Sequence, residues 1–336
     1  MVDRANRPSA LNAPKSSGPS AQVDIVGEGG SQKVVASLPS GESVEVYLFG
    51  ATVTSWKSNG GQTENLWVSE NADLTGKKPI RGGVPVVFPN FGPPPKTGPT
   101  SQLSQHGFAR NSRWEYLGKS STEDALDTSS VKLDFGLDRN GISEEHRKAW
   151  PLDFGLVYSV TLSKDSLQTV ITVRNEGEES FEFQFLLHTY FRIKVSFTEA
   201  TYQTKTDELG QDISKVSVNG LGSVEYVDKV LDATTHTQSE PTLKFNGEVD
   251  RVYKDIKIDT TSILEDGKPR FDVIRDNVKD TVTWNPWIEK AKATADFAPD
   301  DGYKQMVCVE VGAVNGWQKL EKGEVFEGGM LVKSHL

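Results

Sequence analysis

From Ser43 onward, apolar and polar positions in this chain repeat every second residue rather than every three or four. Val44, Val46 and Leu48 alternate with Glu45 and Tyr47 before Gly50 marks a turn. Similar short runs recur at VTSWKS, ENLWVS, VKLDFGL, FGLVYSVTLS, LQTVITVRN and FEFQFLLHTYFRIKVSF. Clusters of Gly, Asn, Asp and Ser part them, as in NGGQ, RNEGEES and the polar stretch KSSTEDALDTSS at 119–130. A period of two sends successive side chains to opposite faces of an extended strand, and the parting residues are those that turns require. Helix signals are few. Asn285-Pro286-Trp287 reads as an N-cap followed by proline in the first helical position, opening a short helix to about residue 295, and Ser143 is placed to cap a turn through His146. Many strands without intervening helices predict an all-β fold, a large antiparallel β-sandwich with a few short helices. Residues 23–336 contain no linker-like stretch and read as one domain. Residues 1–22, rich in Pro, Ser, Ala and Asn and lacking an apolar core segment, read as a disordered tail rather than a secretory signal.

Composition narrows the function classes. A chain of 336 residues with 36% hydrophobic and 25% charged residues fits a soluble globular protein. No apolar run approaches the roughly 20 residues that a membrane-spanning helix needs, so no membrane partner is expected. A net charge of -10 argues against nucleic acid, which calls for a basic face. The single cysteine, Cys308, rules out an intrachain disulfide and points to a reducing compartment, the cytoplasm. The C-terminal Ser334-His335-Leu336 only faintly resembles a peroxisomal address. The five histidines fall in no metal-binding spacing, so no metal is expected.

Residues 78–114 concentrate groups suited to an anionic, hydroxyl-rich ligand. Arg81 stands beside Gly82 and Gly83; a run broken by Pro85 and Pro89 follows, then a Pro/Gly-rich loop that closes on Gln105, His106, Gly107, Phe108, Ala109 and Arg110. Arginine offers a planar fork to phosphate or carboxylate, Gln and His serve hydroxyls, and glycine lets backbone approach a ligand. The prolines bar the run from being a regular helix or a central strand.

Two other stretches each place one titratable group opposite an apolar set. In FEFQFLLHTY, Phe181, Phe183, Phe185 and Leu187 share a face and leave His188 on the other; in MVCVEVGAVNGW, Val307, Val309 and Val311 share a face and leave Glu310 beside Met306 and Cys308. A glutamate in such company has a raised pKa and suits a base near neutrality, with histidine as its acid partner. Taken singly, each has a plainer reading: a hydrogen-bonded structural histidine, an outward charge, a surface salt bridge for Arg81 or Arg110, a turn residue for Asp250. Cys308, with no basic neighbour in sequence, reads as a small buried side chain rather than a nucleophile.

Together, PIRGGVPVVFPNFG, QHGFARNSRWE, LLHTYFRI, GEVDRVY and VEVGAVNGW resemble, in this order, the aldose 1-epimerase (mutarotase) superfamily, and most closely its glucose-6-phosphate 1-epimerase branch. The resemblance runs from about residue 30 to the C-terminus. It implies a galactose mutarotase-like β-super-sandwich and interconversion of the α and β anomers of a hexose 6-phosphate; that chemistry calls for no metal or organic cofactor, and the chain is expected to be a monomer. Carried over by position, it implies His188 as general acid and Glu310 as general base. Arg81, Gln105, Arg110 and Asp250 match substrate-binding positions, and His106 matches a sugar-contacting histidine. Two alternatives share the fold: a phosphosugar- or carbohydrate-binding protein without catalysis, and a mutarotase for unphosphorylated aldoses. A glycoside hydrolase fits less well, since it would usually pair two carboxylates.

Overall fold

Most of the alternating runs fold as read, into three antiparallel sheets, in a computed structural model that describes residues 20–120, 129–193 and 213–335; ENLWVS is the exception, giving only the end of the two-residue strand Thr63–Glu64 and isolated bridges at Leu66 and Val68. The assigned tail, the polar loop at 119–130, the last residues of the run after Arg192 and the C-terminal tripeptide fall wholly or partly outside the described residues. Gln22–Val26, Lys33–Ser37, Ser43–Tyr47, Thr52–Ser58 and Thr63–Glu64 make a five-stranded sheet in chain order. A nine-stranded sheet runs from Thr242–Lys244 through Lys268–Asp276 and Val325–Ser334 to Glu115–Ser120. An eight-stranded sheet is organised on the 15-residue strand Met306–Leu320. One hydrophobic core joins all three; its largest buried side chains include Trp56, Trp67, Trp114, Trp150 and Phe88.

Both predicted helix starts are present. Ser143 Oγ accepts from the His146 N–H at 3.2 Å and opens Glu144–Ala149. The second helix, Trp287–Ala293, begins one residue later and ends two residues earlier than the pattern suggests, because Asn285 Oδ1 accepts from the Trp287 N–H at 3.0 Å and Trp287 itself has a left-handed φ of 55°.

The eight-stranded sheet creates the ground for the site through one irregularity. Phe181–Leu187 pairs with Met306–Leu320 up to Leu187↔Val311, and pairing resumes at Tyr190↔Cys308. His188 and Thr189 fall in the break, and the His188 N–H donates to the Pro85 carbonyl at 3.0 Å instead of to the ladder. The proline-broken run therefore contributes only the two-residue edge strand Val86–Val87, paired with Leu186 and Leu187.

Two glycines of the 78–114 stretch have a different task from the one the sequence suggests. Rather than leaving room for a ligand, Gly83 (φ 67°) and Gly107 (φ 69°) leave room for the protein's own backbone. A Cβ on Gly83 would stand 2.0 Å from the Val53 carbonyl oxygen, and one on Gly107 would stand 2.1 Å from that of Phe88. This close packing threads the Arg81 segment between Trp67 and Tyr190: the Gly83 N–H donates to the Trp67 carbonyl at 2.8 Å, and the Tyr190 N–H to the Gly83 carbonyl at 2.8 Å.

Candidate active site

Strand register builds the floor of the site in two rows. Asp250, Trp284, Cys308 and Tyr190 are paired in line across four strands. In the next row Val252 pairs with Val282 and Val282 with Glu310, while His188 occupies the break beyond Glu310. Val87, Leu186, Val252, Val282 and Val314 form a separate apolar cluster on this face, so Glu310 stands beside aliphatic side chains on one flank and aromatic rings on the other.

Glu310 is 1% exposed and His188 12%, with His188 Nδ1 3.4 Å from Glu310 Oε1. The contact is an approach rather than an aligned hydrogen bond: His188 Nδ1 and Glu310 Oε2 have no hydrogen-bond partner among the described residues. The imidazole lies parallel to the Tyr190 ring, centroids 4.8 Å apart, with His106 and Trp284 edge-on at 5.8 and 6.1 Å. Three rings thus fix its orientation while leaving its nitrogens available.

Electrostatics follow from burial and from three cations. Burial pushes the Glu310 carboxyl well above the usual glutamate range; Lys229 opposes that shift and Asp250 reinforces it. Burial, helped by His106, Arg81, Arg110 and Lys229, holds the His188 imidazolium well below its usual value. The free site therefore favours a neutral pair, with the carboxyl protonated and the imidazole not, over the separated charges. His106, depressed by burial and Arg110, is neutral as well; its Nδ1 accepts from the Gly92 N–H at 3.2 Å and its φ is 66°, a left-handed backbone rare for a residue with a Cβ.

The seven residues singled out in the sequence converge on this floor. Gln105 Nε2 lies 3.2 Å from His106 Nε2 at the exposed rim, and the Gln105 carbonyl accepts from Arg110 Nη2 at 2.9 Å. Arg110 has its Nε buried without a partner, and burial together with the neighbouring Arg81 lowers its pKa to about 10. Arg81 is already engaged: Nε and Nη2 each lie 3.1 Å from Asp296 Oδ1, and Nη1 donates to the Tyr190 hydroxyl at 3.2 Å. Asp250, its pKa raised by burial, lies 3.3 Å from Lys229 Nζ, which also sits 4.2 Å over the Phe91 ring. Tyr190, Trp284, Lys229 and Asp296 belong to the site yet were not singled out in the sequence. Tyr190 was within reach, since it lies two residues beyond His188; Lys229 and Asp296 sit in turns without a pattern.

His188, Cys308 and Glu310 each offer one metal-ligand atom, all within 4.8 Å of one another. Arg81, Arg110 and Lys229 bear on these groups and oppose a dication there, so the donor set suits proton exchange next to an anion better than a metal. Burial and Glu310 push the Cys308 thiol up, which matches a small packed side chain. Elsewhere, a hollow of about 460 Å³ on the nine-stranded sheet, lined among others by Arg113, Leu117, Arg174 and Glu176, shares none of the seven residues.

Comparisons with known proteins bear on the family and the fold. A family model described as aldose 1-epimerase matches residues 32–333. A protein of Cenchrus ciliaris, provisionally named a glucose-6-phosphate 1-epimerase, is 33% identical over 302 residues, covering 89% of this chain and 83% of that one. An Escherichia coli protein with the same provisional name is 37% identical, covering 82% and 81%. Among solved structures, a protein of Salmonella typhimurium provisionally named a mutarotase superposes with a TM-score of 0.73 at 28% identity, over 97% of this chain and 99% of that one. The galactose 1-epimerase of Lactobacillus acidophilus shares the fold, with a TM-score of 0.66 at 12% identity over 94% and 98%.

Proposed function

Because the chain belongs to the aldose 1-epimerase family, isomerases that interconvert sugar anomers, we propose that its substrate is a hexose 6-phosphate and that Glu310 and His188 carry the proton transfers. The observation that carries the chemical part is the 3.4 Å approach of an imidazole and a carboxyl group, both buried and both keeping a hydrogen-bonding atom unused. Opening a pyranose requires removal of the anomeric hydroxyl proton and protonation of the ring oxygen. Glu310 performs the first step and His188 the second, releasing the open-chain aldehyde. Rotation about C1–C2 presents the other carbonyl face, and the two groups exchange roles to close the ring. Glu310 returns on closing the proton it took on opening and His188 regains the one it gave, so the cycle balances without a metal or redox partner.

The phosphate assignment rests on Arg110. It is the cation at this site without a carboxylate partner among the described residues, and its Nε is buried with nothing to receive it. A phosphate supplies that acceptor, while Arg81 presents the edge left free by Asp296. The dianion offsets the arginine charges that depress His188 and moves the shared proton from Glu310 toward the imidazole, the state in which the base is free and the acid loaded. Asp250, Gln105 and His106 hold the sugar hydroxyls. The provisional glucose-6-phosphate 1-epimerase names of the relatives support the same substrate.

Exchange NMR on glucose 6-phosphate tests the reading. Catalysis appears as accelerated α/β exchange, whereas a protein that only binds broadens lines without transferring magnetisation between anomers. Equal acceleration with unphosphorylated glucose would remove the phosphate role of Arg110 and favour an aldose mutarotase.

A further inference from the structure

The two arginines gather near the Tyr190 end of the floor, whereas Asp250 lies at the opposite end of the same row, three strands away. Adjacent strands are about 4.8 Å apart, so this end is on the order of 14 Å from Tyr190, beyond direct contact with the arginine cluster. Lys229 is the cation here. Its backbone N–H donates to the Asp250 carbonyl at 2.8 Å and its Nζ lies 3.3 Å from Asp250 Oδ1, so one residue grips Asp250 by both main chain and side chain. The turn carrying Lys229 is itself pinned, since the buried Asp228 accepts from the Val230 N–H at 3.1 Å and from Arg251 Nε at 3.0 Å. From there the ammonium reaches over Phe91, whose ring packs at 5.4 Å against His106. Its side chain is 32% exposed, open to a ligand on one side.

We infer that Lys229 is a positioning residue of this centre: its ammonium orders Asp250 against the sugar and supplies positive charge at the Asp250 end of the floor, away from the two arginines. The inference rests on the acid–base reading given above. Glu310 is faced by Val282 from one neighbouring strand, by His188 and Tyr190 from the other side and by Cys308 along its own strand, while Asp250 lies two strands away in the adjacent row and, with Lys229, acts on it by charge. Lys229 is the foremost charge lowering the Glu310 carboxyl, and Asp250 works against it, so the two act on the base as an opposed pair. Losing the ammonium leaves the half-buried Asp250 without its counter-charge, and both Asp250 and Glu310 then hold protons to higher pH. Arginine at this position keeps the charge and reaches Asp250 with a different head group, which makes it the informative conservative variant.

Lys229→Met and Lys229→Arg are compared with the unaltered protein by two independent readouts. In exchange NMR with glucose 6-phosphate, Lys229→Met is expected to lose at least tenfold in kcat at neutral pH, with the loss shrinking as pH rises because the acidic limb of the kcat profile moves to higher pH; Lys229→Arg restores the profile. In a ¹³C titration of the labelled Glu310 carboxyl, which needs no turnover, the midpoint in Lys229→Met moves up by about one unit or more. A uniform loss of kcat at every pH with an unmoved Glu310 midpoint would overturn the inference and leave Lys229 a structural residue. An unaltered protein that fails to accelerate exchange, while the Glu310 midpoint still moves in Lys229→Met, would sink the enzymatic reading and spare the electrostatic one.

Discussion

His188 Nδ1 stands 3.4 Å from Glu310 Oε1 because a two-residue break in strand pairing sets the imidazole beside the one carboxyl on the face of Met306–Leu320 that it overhangs. The same break removes the ladder partner of His188 and hands its N–H to Pro85, so the irregular PVVF run and the catalytic pair are parts of one construction. Rings on three sides hold the imidazole still, which keeps two titratable groups close without letting them neutralise each other in an aligned bond.

If the pair exchanges protons with the sugar, removing either group removes most of the acceleration. Glu310→Gln and His188→Asn are each expected to slow α/β exchange of glucose 6-phosphate by about 10²–10⁴-fold, the usual contribution of one general acid or base. Ligand affinity measured by calorimetry should change little, since neither side chain is placed to hold the phosphate. The double variant should be scarcely slower than either single one, because groups that act as a unit lose their effect together. Near-full activity in Glu310→Gln would show that the base lies elsewhere.

Arg110→Ala addresses the phosphate. With this guanidinium and its unpartnered Nε gone, binding of glucose 6-phosphate should weaken by about 1.5–3 kcal/mol, the range for hydrogen bonds to charged groups. Binding of unphosphorylated glucose should be unaffected. A matched loss for both sugars would mean that Arg110 shapes the site without reading the phosphate.

The buried carboxyl has a stability cost with a definite sign. Glu310 has a folded-state pKa raised above its unfolded value, so between the two the folded protein holds a proton that the unfolded chain has released. Stability contributed by that proton is complete below the unfolded value and is lost as pH rises through the folded one. Glu310→Gln cannot titrate. It should be more stable than the unaltered protein on the alkaline side, where the buried carboxyl must ionise and the amide need not, with the gap narrowing toward pH 5. Thermal unfolding at pH 5 and pH 8 measures the difference, and a gap independent of pH would contradict the assignment.

Much of this was legible in the sequence, for identifiable reasons. Alternation gave the sheets, and it also put His188 and Glu310 on the faces opposite Phe181-Phe183-Phe185 and Val307-Val309-Val311, because a period of two reports sidedness directly. Alternation alone did not bring those two faces together, since that depends on register between strands more than a hundred residues apart; the family resemblance is what paired them. Lys229 and Asp296 stayed hidden because a turn carries no periodicity; only their distances to Asp250 and Arg81 reveal them. Gly83 and Gly107 were noticed as permissive backbone, but composition does not say whether a ligand or a neighbouring carbonyl takes the vacated space.

That last distinction can be measured. Gly107→Ala combines a left-handed φ of 69° with a Cβ that would stand 2.1 Å from the Phe88 carbonyl, so it should cost about 2–3 kcal/mol or prevent folding. Gly267→Ala has the same strain, with φ of 76°, but open space around its Cβ, and should cost only about 1–2 kcal/mol. Equal losses at the two positions in denaturant unfolding would mean that conformational strain, not backbone packing, is what Gly107 serves.

The proton balance of binding tests the link between the two ends of the mechanism. In the free protein, burial and the cations Arg81, Arg110 and Lys229 hold His188 neutral at pH 7. A phosphate dianion against the arginines cancels part of that field and raises the imidazole pKa in the complex, so the complex carries more protons than its separated parts wherever the proton is not drawn wholly from Glu310. Affinity for glucose 6-phosphate should then rise as pH falls from 8 toward 7, before the second ionisation of the phosphate, near pH 6, begins to oppose the trend. Calorimetric titrations at pH 7 in buffers of different ionisation enthalpy count the protons taken up. The unaltered protein should take up a measurable fraction of a proton per ligand, and His188→Asn distinctly less, because the group that gains it is gone. Identical counts in the two proteins would mean that phosphate binding draws no proton from solvent onto the imidazole, which leaves transfer from Glu310 as the one route by which the substrate loads the acid.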